Sequence, residues 1–262
     1  MSAALIAAVR IIKGKRMVKK VALVTGGVGG IGSAICNCLA RDGLRVVANY
    51  AAPGSEIGWL EQMHSSGFQD VTLAHGDVSD FDAMSGMVRR IESEVGPVQV
   101  LVNCAGITRD AVFHKMSKRD WDAVIDVNLN SMFNVTRHVI EGMMQRGYGR
   151  IVNISSVNGQ KGQYGQTNYS AAKAGVHGFT KALAQEVVKK GVTVNSVSPG
   201  YVGTELVMTI KEEVRERILA QIPAGRFARP DEIGHLVSYL VSDHAAFVTG
   251  ANISINGGQH MF

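Results

Sequence analysis

The chain has 262 residues, 46% hydrophobic and 19% charged, enough to bury the core of one large domain. That composition excludes a disordered chain, a collagen and a disulfide-stapled mini-protein, and three cysteines without a CxxC pair fit a reducing cytoplasm better than a secreted or zinc-stapled protein. The net charge is +5, but residues 1–16 hold four basic side chains and no acid, which leaves only +1 on 17–262 and no basic face for nucleic acid.

Residues 1–16 run from apolar to basic, the reverse of a signal peptide, and are too short to span a bilayer. They read as a disordered N-terminal extension without function, a transit or membrane-surface segment being the alternative, ahead of one domain over 17–262. No later run reaches transmembrane length, so no membrane partner is expected. From Val21 onward, apolar β-branched runs fall at 21–25, 45–49, 70–74, 98–103, 150–155, 192–198 and 252–256. Helical periodicity fills 29–42, 55–66, 80–95, 117–146, 168–190, 206–220 and 230–242. Asp80, Ser117 and Asp231 read as caps, and Pro230 as a helix start. This alternation predicts a single α/β domain, a doubly wound parallel sheet of seven strands with helices on both faces.

The first strand leads into Gly26-x-x-x-Gly30-x-Gly32 and then a helix. Such a turn lets backbone N–H groups approach a diphosphate at a helix N-terminus. Glycine-rich turns also occur with no ligand, but this one follows the first strand of an alternating chain, where a dinucleotide binds.

TGGVGGIG (25–32), NCAG (103–106), Ser155-Ser156, Tyr169-x-x-x-Lys173 and Pro199-Gly200 stand in an order and spacing that resembles the short-chain dehydrogenase/reductase family. The resemblance covers essentially all of 17–262. It implies a Rossmann-type fold, a nicotinamide dinucleotide, a homotetramer and the catalytic set Asn128, Ser156, Tyr169 and Lys173. For the cofactor it implies Gly26, Gly30, Ile31 and Gly32 at the first turn, and Asp77 and Val78 at the adenine. It adds Asn103, Ala105 and Gly106 after the fourth strand, then Tyr169, Lys173, Pro199 and Gly200.

Tyr169 and Lys173, four apart on a helix, share a face. A neighbouring ammonium is expected to lower the phenol's pKa, so that Tyr169 can exchange a proton with a carbonyl oxygen while Ser156 donates a hydrogen bond to it. Ser155 cannot face the same way as Ser156 on a strand. Asn128 matches a helix-kinking residue that holds a water in the family's proton relay. Cys104 stands where the family carries a second Asn.

No acid directly follows the second strand; the first is Glu56, and no Arg or Lys stands there either. Absence of the acid favours NADP(H), with NAD(H) left open. The strings at 158–175, 106–116 and 255–261 resemble the acetoacetyl-CoA reductases within the family. That likeness implies reduction of a short acyl-CoA thioester, acetoacetyl-CoA to (R)-3-hydroxybutyryl-CoA, for polyhydroxybutyrate synthesis. It assigns Gln163, Tyr164, Gln166 and Tyr201 to the substrate, under a lid at 203–222 hinged at Gly203. The alternatives are a 3-oxoacyl-[acyl-carrier-protein] reductase, whose acidic partner Arg146, Lys189 and Lys190 could meet, and a non-catalytic nucleotide sensor.

Overall fold

The apolar runs form seven parallel strands: β1 Val21–Val24, β2 Arg45–Tyr50, β3 Val71–His75, β4 Val98–Asn103, β5 Gly149–Ile154, β6 Val192–Pro199 and β7 Asn252–Ile255. The structure is a computed structural model that describes residues 19–54 and 56–261, so the expected extension 1–16 lies outside the described residues. The sheet order is β3-β2-β1-β4-β5-β6-β7. Strand order reverses between β1 and β4, which opens a crevice beyond their C-terminal ends.

Alternate residues feed two cores. Leu23, Val47, Leu101, Ile151 and Val194 pack beneath helices Phe81–Glu94, Ser131–Arg146 and Thr167–Val187. Ala22, Val46, Val100, Val152 and Val197 face helices Gly30–Arg41, Glu56–Ser65 and Pro230–Val241. Both faces are covered, which is why the central strands read as unbroken apolar runs rather than alternating ones.

Asp80 caps its helix by accepting from Ala83 N, and Ser117 by accepting from Asp120 N. Asp231 is not a cap. Pro230 takes the first helical position, so Arg229 becomes the N-cap; its N–H donates to Glu232, and Asp231 lies in the first turn.

Three helices depart from the expected boundaries. The stretch 117–146 is two α-helices, Lys118–Ile125 and Ser131–Arg146, joined by a π-helical turn over Asp126–Asn130. The Asn128 side chain donates to Val124 O at 2.9 Å and so competes for the acceptor of the regular i→i−4 bond. The expected 206–220 helix is two short pieces, Glu205–Met208 and Glu212–Leu219. Helix Thr167–Val187 gives way to a 3₁₀ turn ending at Gly191 (φ +76°), where a Cβ would lie 2.2 Å from Gly147 O. Gly191→Ala should therefore cost at least about 1–3 kcal/mol through backbone strain alone, read as a fall in urea midpoint at unchanged m-value.

Candidate active site

The glycine turn is shaped from both sides. Gly26 (φ +62°) passes Ala105 so closely that a Cβ would stand 3.0 Å from its Cα, and a Cβ on Gly32 would sit 2.1 Å from Gly26 O. Gly30 backs onto Thr204, at the start of the expected lid. Helix Gly30–Arg41 begins with no side-chain cap and no acid in its first turn, so its leading N–H groups remain available to an anion. Ile31 lies in that first turn.

Two residues that sequence reasoning passed over build this turn. Asn49, at the end of β2 and 2% exposed, donates to Ala74 O (3.2 Å) and Gly76 O (2.9 Å) and accepts from Gly26 N (3.4 Å). Thr25 Oγ1 accepts from Cys104 N (2.9 Å) and Ala105 N (3.1 Å), which ties NCAG to the turn. A polar residue ending an otherwise apolar run was the available signal.

Asn103 is buried and donates to Asn153 Oδ1 (2.8 Å), whose own amide donates to Thr180 Oγ1 (3.0 Å). The chain bridges β4, β5 and helix Thr167–Val187. Asp77 turns back on Ser79, and Val78 is buried with its carbonyl bound by Asn134. On the far side of the crevice Pro199 O accepts from Val157 N, and Gly200 admits Asn256 and Gln259 at distances a Cβ would block. The uncapped helix end and these tight glycine passages fit an extended dinucleotide diphosphate.

Ser156, Tyr169 and Lys173 converge beyond β5. Ser156 Oγ accepts from Asn158 N (3.1 Å), and its hydroxyl bonds the Tyr169 phenol. Lys173, 2% exposed, lies 5.7 Å from the Tyr169 ring centre and donates to Ile154 O at 2.8 Å. Asn128, fully buried, donates to Ile107 O and Val124 O, while its Oδ1 has no partner. A Cβ on Gly106 would approach that oxygen to 2.7 Å and Lys173 Nζ to 3.6 Å, so the three groups surround one small space. Ser155 faces the other way, donating to Lys173 O at 2.8 Å.

The electrostatics differ from the expectation. Burial pushes the Tyr169 phenol up to about 12; the Ser156 hydrogen bond opposes this, while Cys104 and Asp110 add to it. Burial also drives Lys173 down to about 8. Desolvation outweighs the Ser156 hydrogen bond, and the phenol therefore stays protonated.

The substrate-loop residues do not converge as a set. Gln166 is tied at both ends, accepting from Asn158 Nδ2 (2.9 Å) and donating to Asp110 (2.8 Å). Gln163 accepts from Lys161 (3.2 Å), and Tyr164 points out, 87% exposed. Tyr201 is part-buried against Phe227 and walls a small cavity with Ile222 and Ile255. Buried Asn168, also overlooked, donates to Arg109 O (3.0 Å) and so holds the 106–116 loop against this helix.

A doubly wound parallel sheet with a glycine turn at its switch point and a Ser–Tyr–Lys set beside it defines a dinucleotide-dependent oxidoreductase. The sequence pattern of the short chain dehydrogenase family matches residues 20–215, and the chain belongs to that family. It is thus an oxidoreductase acting on a CH–OH group with a nicotinamide cofactor. The chain is 58% identical to an acetoacetyl-CoA reductase of Cupriavidus necator over 247 residues, 94% of this chain and 100% of the relative. It is 58% identical to nodulation protein G of Azospirillum brasilense, covering 92% of this chain and 98% of the relative. An acetoacetyl-CoA reductase of Allochromatium vinosum is 55% identical, with 92% and 99% covered. Among the described residues no helix is long and apolar enough to cross a membrane, and no group of three His, Cys, Asp or Glu could hold a metal.

The buried ammonium has a signed consequence. Lys173 has a lower pKa folded than unfolded, so below about pH 8 its burial as a cation opposes folding. That opposition fades as pH rises through 8 towards the unfolded value. Lys173→Met should raise the melting temperature at pH 7 and cut turnover, and the stability gap to wild type should narrow between pH 8 and pH 10.

Proposed function

We propose that the protein reduces acetoacetyl-CoA to (R)-3-hydroxybutyryl-CoA, a precursor for polyhydroxybutyrate. The carrying observation is the loop of Gln163, Tyr164 and Gln166 leading into Tyr169 beside an assembled Ser–Tyr–Lys set, in a chain 58% identical to a reductase named for that substrate. Ser156 donates a hydrogen bond to the ketone oxygen, and Tyr169, kept protonated by burial, gives its proton to that oxygen as the alcohol forms. A bound nicotinamide would supply the hydride. Lys173 and Asn128 Oδ1 face a shared space from which the phenolate can be reprotonated. Gln166, clamped between Asn158 and Asp110, fixes the entrance; exposed Tyr164, and Gln163 once it releases the exposed Lys161, can swing onto the thioester, opposite Tyr201, when the 203–222 segment closes.

The glycine turn, Asp77–Val78, Asn103, Ala105–Gly106 and Pro199–Gly200 would hold the dinucleotide. Along the sequence, the missing acid after β2 favours NADP(H). In the fold the Glu56 carboxylate is engaged within its own loop, accepting from Gly54 N at 2.6 Å, and residues 51–67 contain no Arg or Lys. The proposal is NADP(H), with NAD(H) as the alternative.

Self-association into a homotetramer is supported by exposed apolar surface. Phe81 and Phe133 stack at 5.8 Å and stand 39% and 55% exposed, and Ala171, Ala174 and Gly178 form an exposed small-residue face on the helix that carries Lys173. Free cysteines and the charge balance fit a cytoplasmic enzyme, and the domain is taken to start at Met17.

Acetoacetyl-CoA with NADPH should be turned over, and Tyr169→Phe should lower kcat by about 10²–10⁴. Faster turnover of the carrier-protein thioester than of the CoA form would move the reading to fatty-acid elongation, and no turnover of either would sink it. NADPH should exceed NADH in kcat/KM; the reverse ratio would move the cofactor reading to NAD(H). Light scattering at micromolar concentration should give four times the chain mass.

A further inference from the structure

His177 lies one turn past Lys173 on the same helix face, away from the substrate side. Its Nε2 is 2.8 Å from Ser155 Oγ and 3.2 Å from Ser198 Oγ. Both hydroxyls have already committed their single proton. Ser155 donates to Lys173 O, and Ser198 donates to Asn252 Oδ1, each at 2.8 Å. Nε2 must therefore carry the proton and donate to the two serines. Burial, with the charges of Lys181 and Lys173, disfavours the imidazolium and leaves a neutral ring.

The position of this one ring matters because of what adjoins its partners. Ser155 immediately precedes Ser156 on the segment leaving β5. Ser198 immediately precedes Pro199–Gly200 at the end of β6. The helix contributes Tyr169 and Lys173. Lys173 already grips the β5 end twice, through its ammonium on Ile154 O and through its carbonyl on the Ser155 hydroxyl. The second grip requires the Ser155 rotamer that the imidazole N–H holds.

We propose that His177 is a positioning residue that, through Ser155 and Ser198, fixes Ser156 and the Pro199–Gly200 turn relative to Tyr169 and Lys173. It touches no reacting atom. Removing its donor lets Ser155 rotate, loosens the β5 end from the helix and misplaces the Ser156 hydroxyl by the small distance on which proton transfer depends. The kinetic part of this proposal rests on the reductase reading above; the tautomer does not.

Two measurements test it. The ¹⁵N spectrum of histidine-labelled protein should show neutral His177 with its proton on Nε2, whatever the substrate is; a proton on Nδ1 overturns the proposal. In kinetics, His177→Leu should lower kcat for acetoacetyl-CoA about tenfold while KM and the cofactor Kd change less than twofold. His177→Gln, whose amide N–H can reach the Nε2 position, should recover most of that loss. Wild-type kcat in His177→Leu, or kcat, KM and melting temperature falling together with no rescue by Gln, overturns it. Wild-type protein inert on acetoacetyl-CoA would fail the substrate reading alone, with the tautomer still deciding the positioning role.

Discussion

The buried ammonium of Lys173 is the constraint around which the rest of the site is arranged. A cation that is 2% exposed must find oxygen acceptors within the protein, and its one fixed acceptor is the carbonyl of Ile154 where β5 ends. β5 ends at that residue, and two residues on, Ser156 lies beside the phenol four residues before the lysine. The same exclusion of water that depresses the lysine holds Tyr169 in its acid form. An alkoxide is a much stronger base than a phenolate, so in the proposed reduction a phenol near 12 would still transfer its proton downhill.

The sheet supports this with a polar edge on an apolar body. Asn49, Asn103, Asn153 and Asn195 are all buried on the strands. Each commits its amide to a specific partner: the glycine turn and β3 for Asn49, neighbouring strand and helix side chains for Asn103 and Asn153, and the chain entering β7 for Asn195. Apolar contacts alone tolerate sliding; satisfied amides at fixed positions do not, and they lock the register of the strands whose ends form the site.

The sheet was legible because strands covered on both faces leave continuous β-branched runs, and all seven lie within a residue or so of where those runs predicted them. The site was legible as a set of spacings, since TGGVGGIG, Tyr169-x-x-x-Lys173 and Pro199-Gly200 are chemical requirements written close together along the chain. What escaped was whatever depends on a side chain competing with a backbone or on water being absent. The π turn at Asn128 needs its amide to take Val124 O; the family likeness marks Asn128 as a helix-kinking residue, but helical periodicity runs straight through VNLN. The raised phenol at Tyr169 depends on burial contributed by distant segments. Asp231 reads as a cap until Pro230 claims the first helical position.

The strand order also sets when the site can exist. β1 lies in the middle of the sheet; β2 and β3 add to one side, and β4 to β7 then add outward on the other in the order in which they leave the ribosome. Each new strand finds its neighbour already made, so growth needs no threading between strands. The residues that close the far side of the crevice, Ser198 and Pro199 on β6, Gly200 just after it and Asn252 on β7, are made after β1 to β5. A nascent chain can thus build its glycine turn early but cannot assemble the completed pocket until β6 and β7 have emerged, and a chain stopped before them presents a sheet with an exposed edge rather than a weaker enzyme.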